Sequence, residues 1–546
     1  MSGQLDLHSL EILGLFLLIS VVLFAGLAKY LKIPFPILLV LVGLAISFVP
    51  HVPRIPLDPQ LVFLVFLPPL LYASAWQINW RDFHRNLLSI SMLATGLVVF
   101  TVLGIAFFAD RFVTTLDFTS GFLLGAVVAA TDAVATGSIA KTLGLSPRIS
   151  TLLEGESLLN DATGLLALEF GLTLLLSGHT LSFGESVLRL SWLIAGGLGV
   201  GLLLGSIMTV IERWIDDGPL EVATSLIVPY VAYLAAEELR ASGVLAVVVC
   251  GLYLSRRSAS FLSPTSRLEL LGAWKALDFM LNGIVFLLIG LQLPYILLGI
   301  HEYTVGQLLF YGLVFSLLLI ALRMIWAFPG AYTSAWIRRR LFHQEVPNPQ
   351  PKGIFVVGWA GMRGVLALAA AFSLPITLPN GHPFTQRPLI LFLTFSIILV
   401  TLVGQGLTLP FLIRRLGLAN NTEVADEELA ARFQVLSKVI ASLKQSRTDA
   451  SIDDMTDIDE LLLRYRHRLD AISVYDRISH TAGPVEDAIQ ATNDRHERRA
   501  DMVRKTVMLE RQTLLNLRER NTIGDDVLHS LERELDLTET RLETGI

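Results

Sequence analysis

Long apolar runs alternate with short polar connections from about Leu10 to Arg415. A helix that crosses a bilayer needs roughly 20 mostly apolar residues, and about thirteen runs approach that length. They centre near residues 18, 41, 68, 98, 130, 164, 200, 228, 248, 285, 318, 364 and 400. Pro, Gly and charge clusters mark the connections, as in PHVPRIPLDP (50–59) and RRRLFHQEVPNPQPKG (338–353). Beyond Leu416 the pattern changes. EELAARFQVLSKVIASL and DIDELLLRYRHRLDAISV place apolar residues at i, i+3 and i+4, with charges of both signs between them, as on solvated amphipathic helices. A turn at Gly524, between ERQTLLNLRERNTI and DDVLHSLERELDLTETRL, predicts a helical hairpin. The expected architecture is an all-α polytopic membrane domain over 1–415 and a helical C-terminal domain over 416–546.

Composition and charge fit that division. The chain has 546 residues, of which 53% are apolar and 16% charged, against about 25% charged in a soluble protein. The net charge of −6 gives no reason to expect a nucleic-acid partner. One cysteine, Cys250, excludes an intramolecular disulfide and a thiolate metal cluster. The histidines lack metal-ligand spacing, and no phosphate loop or nucleophile elbow is present, so neither an enzyme nor a cofactor is expected. GGLGVG (196–201) lies inside an apolar run with no strand before it and reads as close helix packing. The N-terminus has no basic n-region or cleavage site, so the first span is expected to stay.

Lys and Arg then orient the chain. Lys29 and Lys32, Arg81 and Arg85, Lys141 and Arg148, Arg213, Arg256, Arg257 and Arg267, Arg338 to Arg340, and Arg414 with Arg415 follow odd-numbered runs. Even-numbered runs are followed mainly by Arg54, Arg111, Arg240 and Arg387. The positive-inside rule places the N-terminus outside and the C-terminal domain in the cytoplasm.

Three runs carry ionisable groups near their midpoints, where a charge costs at least ~3 kcal/mol. The fifth, GFLLGAVVAATDAVATGSIAK, holds Asp132; the sixth holds Glu154, Glu156 and Asp161; the twelfth, GIFVVGWAGMRGVLALAAAF, holds Arg363. Glu154, Ser157 and Asp161 share one helical face, and Glu156, Asn160 and Thr163 share another. Glu154 lies roughly 10 Å nearer the cytoplasm than Asp161 at the helical rise, which suggests an ion pathway. Glu156 and Arg363 are expected to form a structural ion pair. One arginine cannot neutralise four carboxylates, so Asp161 and Asp132 are the candidates for proton exchange or cation binding. Gly-rich, polar stretches surround Asp132 and Arg363 in runs seven apart, which inverts their orientation. Paired interrupted helices in two inverted halves are a pointer to a transporter site.

TDAVA (131–135), EGESLLNDA (154–162), FLPPLLY (66–72), NGIVFLLIGLQL (282–293) and WAGMRGVLALA (359–369) resemble the bacterial sodium/proton antiporters of the electroneutral exchanger family. The resemblance implies thirteen helices in two inverted six-helix repeats with crossing broken helices, a homodimer, and an elevator-like motion of a core against a dimerisation domain. It implies that Asp161 binds the cation or a proton, with Ser157 and Thr131 as oxygen ligands of Na+. Thr131 and Asp132 would line the site or balance the broken-helix ends, Glu156 and Arg363 would form the ion pair, and Asn160 would go with electroneutral exchange. The chain departs from the family pattern at Ala133, where many members have Pro, and at Ala73 and Ser74, where many bacterial members have an acid.

The expected activity is electroneutral exchange of Na+, with Li+ as a further substrate, for H+ across the inner (plasma) membrane, serving pH and sodium homeostasis. Hard oxygen ligands suit such a cation. An ordinary aspartate titrates near ~3.9, and desolvation raises buried carboxylates by up to ~3–5 units, which brings them into the working range. K+/H+ exchange is the near alternative; a cation channel or a membrane pH or ion sensor is the alternative of another class.

Overall fold

The structure is a computed structural model that describes residues 7–50, 58–177, 183–215, 217–300, 302–344, 348–379, 381–419, 423–448 and 452–480, with residues 506, 508–514, 516 and 531. It is all-helical among these residues apart from one isolated bridge, Thr377 to Pro383. The membrane unit contains α1 (Leu7–Leu31), α2 (Phe35–Ser47), α3 (Pro59–Gln77), α4 (Trp80–Phe112), α5 (Phe118–Ala129), α6 (Ala133–Leu143), α7 (Pro147–Ser177) and α8 (Phe183–Glu212). It continues through α9 (Gly218–Glu238), α10 (Gly243–Phe261), α11 (Pro264–Leu291), α12 (Leu293–Leu298), α13 (Val305–Arg340), α14 (Pro351–Trp359), α15 (Val365–Phe372) and α16 (Arg387–Leu416). Every apolar run of the sequence falls on a helix or a pair of helices.

Ten helical stretches among the described residues are long and apolar enough to cross a membrane. The runs near 41 and 364 fall outside that set because α2 has only 13 residues and the later run is interrupted between α14 and α15. Side chains pack into two main apolar clusters. One joins α2, the start of α3, α4 to α7 and α11 to α16. The other joins α3, α9, α10 and α11 to one face of α4 and α7.

Two devices shape the helices around the centre. α4 contains a π-helical turn at Met92–Leu97, and α16 another at Val400–Gln405. Such turns leave carbonyls available to side chains. Trp326 Nε1 donates to the Met92 carbonyl at 3.1 Å, and Thr163 Oγ1 donates to that of Ala94 at 2.5 Å. Small residues bring other helices close. A Cβ on Gly197 or Gly201 would stand 2.8 Å from the Ser242 carbonyl oxygen or 2.5 Å from that of Ala246, so GGLGVG lets α8 lie directly on α10.

A second compact unit spans residues 422–546. Its described helices, α17 (Glu423–Thr448) and α18 (Ile452–His480), pack on each other through Leu436, Ile440 and Leu462. Arg447 joins Asp459 across the turn at 2.7 Å. The hairpin expected about Gly524 lies outside the described residues.

Candidate ion-binding site

The fifth apolar run breaks where its sequence turns polar. α5 ends at Ala129, Ala130 is extended, and α6 restarts at Ala133. Asp132 caps the new helix: its Oδ1 accepts from the Val134 N–H at 2.8 Å and the Ala135 N–H at 3.3 Å. A carboxylate there satisfies orphan donors and lies at the positive end of the helix dipole. The twelfth run breaks between Trp359 and Val365. The two breaks touch, because the Asp132 N–H donates to the Met362 carbonyl at 2.8 Å. Thr136 Oγ1 donates to the Asp132 carbonyl at 2.9 Å and reaches that of Ala360 at 3.5 Å. Gly364 makes the approach possible, since a Cβ there would stand 2.4 Å from Asp132 Oδ2.

α7 supplies the wall beside the first break. Asn160 Oδ1 accepts from the Thr131 N–H at 3.3 Å, and its Nδ2 donates to Thr131 Oγ1 at 2.6 Å. Thr131 Oγ1 and Ser157 Oγ share a hydrogen bond of 2.9 Å. Thr131, Asp132, Ser157 and Asp161 line one cavity of about 80 Å³, together with Ser74 of α3 and Asn282 of α11. Asp161 Oδ1 is buried and has no hydrogen-bond partner among the described residues. Carboxylate and hydroxyl oxygens at one small cavity are a donor set suited to a hard monovalent cation. Asn160 is not part of the cavity lining; it holds the broken backbone at Thr131. Glu154, part-buried, lies on α7 toward α6, its Oε1 3.8 Å from where a Cβ on Gly137 would stand.

The expected Glu156–Arg363 pair is corrected by the structure. Glu156 binds Arg323 of α13 through both oxygens, with Nη1–Oε1 at 2.5 Å and Nη2–Oε2 at 2.7 Å. Arg323 also donates from Nε to the Gly358 carbonyl and from Nη2 to that of Val357, both at 3.1 Å. These carbonyls belong to the last turn of α14, which lacks helical donors of its own. Arg323 therefore neutralises Glu156 and caps the broken helix together. Gly361 clears the way: a Cβ there would stand 2.4 Å from Arg323 Cδ. Arg363 is equally buried, but its N–H donates to Thr401 Oγ1 at 3.2 Å, while its Nε and Nη1 have no partner among the described residues. It lies within electrostatic range of Asp161, Glu156 and Arg323.

Two contributors were not singled out from the sequence. Arg323 is a charge deep in the eleventh apolar run, and nothing in the sequence assigns its partner. Asn282 donates to the Asp278 carbonyl and to Asp278 Oδ1, each at 2.9 Å, and Asp278 lies within electrostatic range of Asp132. The signal for Asp278 was a lone acid in an otherwise apolar stretch, WKALDFMLNGIVF.

Comparison with known proteins places this geometry. Residues 16–415 match the family described as sodium/hydrogen exchanger, transmembrane. The chain is 29% identical over 94% of its length, and 94% of the relative, to an Escherichia coli protein named Uncharacterized Na(+)/H(+) exchanger YjcE. It is 32% identical to the low-affinity Na(+)/H(+) antiporter NhaS1 of Synechocystis sp., over 80% of this chain and 79% of that one. A sodium, potassium, lithium and rubidium/H(+) antiporter of Bacillus subtilis is 29% identical over 70% of this chain and 58% of that protein. The fold is similar to that of the sodium proton antiporter MjNhaP1 of Methanocaldococcus jannaschii, with a TM-score of 0.60 and 23% identity over 74% of this chain and 98% of that chain.

Proposed function

The chain belongs to the sodium/hydrogen exchanger family, a family of secondary transporters rather than enzymes, and from that premise we propose that it exchanges one Na+ for one H+ at Asp161 by alternating access. The observation that carries this reading is the unpartnered Asp161 Oδ1 at a cavity shared with Thr131, Asp132 and Ser157. A bare carboxylate in that position is stabilised by either a proton or a cation. When neutralised by either, the site crosses the apolar barrier without an uncompensated charge; when bare, it does not. Coupling follows from that difference alone, and one charge compensated by one ion gives electroneutral 1:1 exchange. Thr131 and Ser157 supply oxygen ligands to Na+, Asp132 fixes the break, and Asn160 holds Thr131 in place. Glu154 marks the cytoplasmic approach. Li+ fits the same oxygen set.

The same reading gives a homodimer in the plasma membrane that works by an elevator-like motion and serves pH and sodium homeostasis. Its N-terminus lies outside and the domain beyond 415 in the cytoplasm, as the alternation of Lys and Arg supports. Exchange of K+ is the second reading, favoured by the potassium in the name of the Bacillus subtilis relative. The test is reconstitution in liposomes with an internal pH dye, driven by Na+, Li+ or K+ gradients in turn. Proton flux driven by Na+ and lost in Asp161→Asn supports the proposal. Flux that survives in Asp161→Asn overturns the site, equal driving by K+ selects the second reading, and uncoupled conductance points to a channel.

A further inference from the structure

Three arginines converge at the end of the membrane unit where α7 begins. Ser89 of α4 and Ser334 of α13 share a hydrogen bond of 2.7 Å between their hydroxyls. One helical turn before Ser89 stands Arg85, and one turn after Ser334 stands Arg338. The two helices run in opposite directions in the topology read from the Lys and Arg distribution, so both arginines fall on the same side of that bond, toward the cytoplasm. Arg148, the second residue of α7, joins them: it lies within electrostatic range of Arg85, and Arg338 within range of both. Gly353 of α14 flanks this corner, 3.5 Å from Ile149 Cδ1 when given a Cβ.

No carboxylate answers these charges among the described residues. Arg338 is 5% exposed, and among the described residues its one side-chain bond goes from Nε to Gln344 Oε1 at 3.0 Å. Arg148 is part-buried and Arg85 exposed, and neither makes a side-chain hydrogen bond or ion pair among the described residues. The neighbouring Arg339 is already engaged with Asn348 at 2.7 Å. A buried guanidinium beside two more, without a counter-charge, is unfavourable unless an anion joins them. Guanidinium forks match the oxygens of phosphate, and three of them from three helices lie within electrostatic range of one another here.

We propose that Arg85, Arg148 and Arg338 bind a phosphate group, carried either by an anionic phospholipid headgroup or by a soluble phosphate, at the cytoplasmic start of α7. α7 also carries Glu154 and Asp161. Three uncompensated positive charges at its entrance repel an approaching cation, and a bound phosphate removes that repulsion. The ligand therefore raises the rate at which cations load from this side, a consequence that rests on the antiport reading; binding itself does not.

The experiment uses the full-length protein in nanodiscs of zwitterionic lipid alone, of zwitterionic lipid with phosphatidylglycerol, or of zwitterionic lipid with inorganic phosphate in solution. Retained ligand is read by native mass spectrometry and stability by the thermal unfolding midpoint. At least one anion is expected to bind and to raise the midpoint of the wild type. Its apparent affinity falls about tenfold in Arg148→Gln and again in Arg338→Gln, the loss expected for one charge-assisted contact each. Arg466→Gln, at an exposed position of α18, leaves it unchanged. Binding of phosphatidylglycerol alone assigns the site to a lipid, and binding of phosphate alone to a soluble ligand. If neither anion binds, or if Arg148→Gln and Arg338→Gln bind as the wild type does, the inference falls. Intact, arginine-dependent binding in a protein that shows no cation-driven proton flux leaves the site standing and counts against the antiport reading.

Discussion

Which guanidinium neutralises Glu156 decides how much of the site is scaffold. Glu156 and Arg323 are both buried, bound through two parallel contacts, and tied to the last turn of α14. Removing one member of such a pair strands the other as a buried charge, which typically costs about 3–5 kcal/mol. Arg323→Gln should therefore lower folded yield and the unfolding midpoint sharply. The double change Glu156→Gln with Arg323→Gln should recover part of the loss, because it leaves no net charge behind. Arg363→Gln strands no bonded partner and should be milder in stability. The check is a double-mutant cycle on midpoints in detergent; additive losses from Glu156→Gln and Arg323→Gln would refute the pairing. Asp278 gives a second residue-level expectation. Standing one turn from Asn282 and within range of Asp132, it should contribute to cation loading, so Asp278→Asn should raise the KM for cation with a smaller change in maximal rate. Flux measurements that find KM unaltered would exclude that role.

At the scale of elements, the contact of the two broken helices depends on a missing side chain. Gly364 is extended, so its backbone conformation tolerates other residues, but a Cβ would press within 2.4 Å of an Asp132 carboxylate oxygen. Gly364→Ala should fold and yet displace that carboxylate, which already caps α6. A displacement of about 1 Å at a binding centre can cost on the order of 100-fold in rate. Exchange assays paired with midpoints would separate this from misfolding; an active Gly364→Ala protein would mean the breaks have room to part. Both breaks were legible in the sequence, because glycines and polar residues interrupted apolar runs around Asp132 and Arg363. So was the face of α7 that carries Ser157 and Asp161, since helical spacing alone fixes it. The partner of Glu156 was not. Spacing within one run says nothing about which of several distant runs packs beside it, and the choice between Arg323 and Arg363 was made by Gly361, whose bare backbone admits the α13 arginine. The hydrogen bonds from Asn160 to Thr131 were hidden for the same reason, being contacts between runs.

At the scale of the molecule, the proposal that Asp161 serves both ions makes pH and cation concentration interchangeable. On that proposal a protonated Asp161 does not take Na+, and one holding Na+ does not take a proton. Below the pH at which the site titrates, each unit of acidification should raise the KM for Na+ by about tenfold, while the rate at saturating Na+ changes little. Well above that pH, KM should level off, because protons no longer compete. The exchange itself should ignore membrane voltage, since the moving site carries the same net charge in both directions. Initial rates in proteoliposomes across a grid of pH and Na+ concentration, with the voltage clamped at two values, test both statements. If the maximal rate falls with pH while KM stays fixed, protons act somewhere other than Asp161. If the rate follows voltage at fixed gradients, a second charge moves in the cycle, and Asp132, at the same cavity, becomes its first candidate.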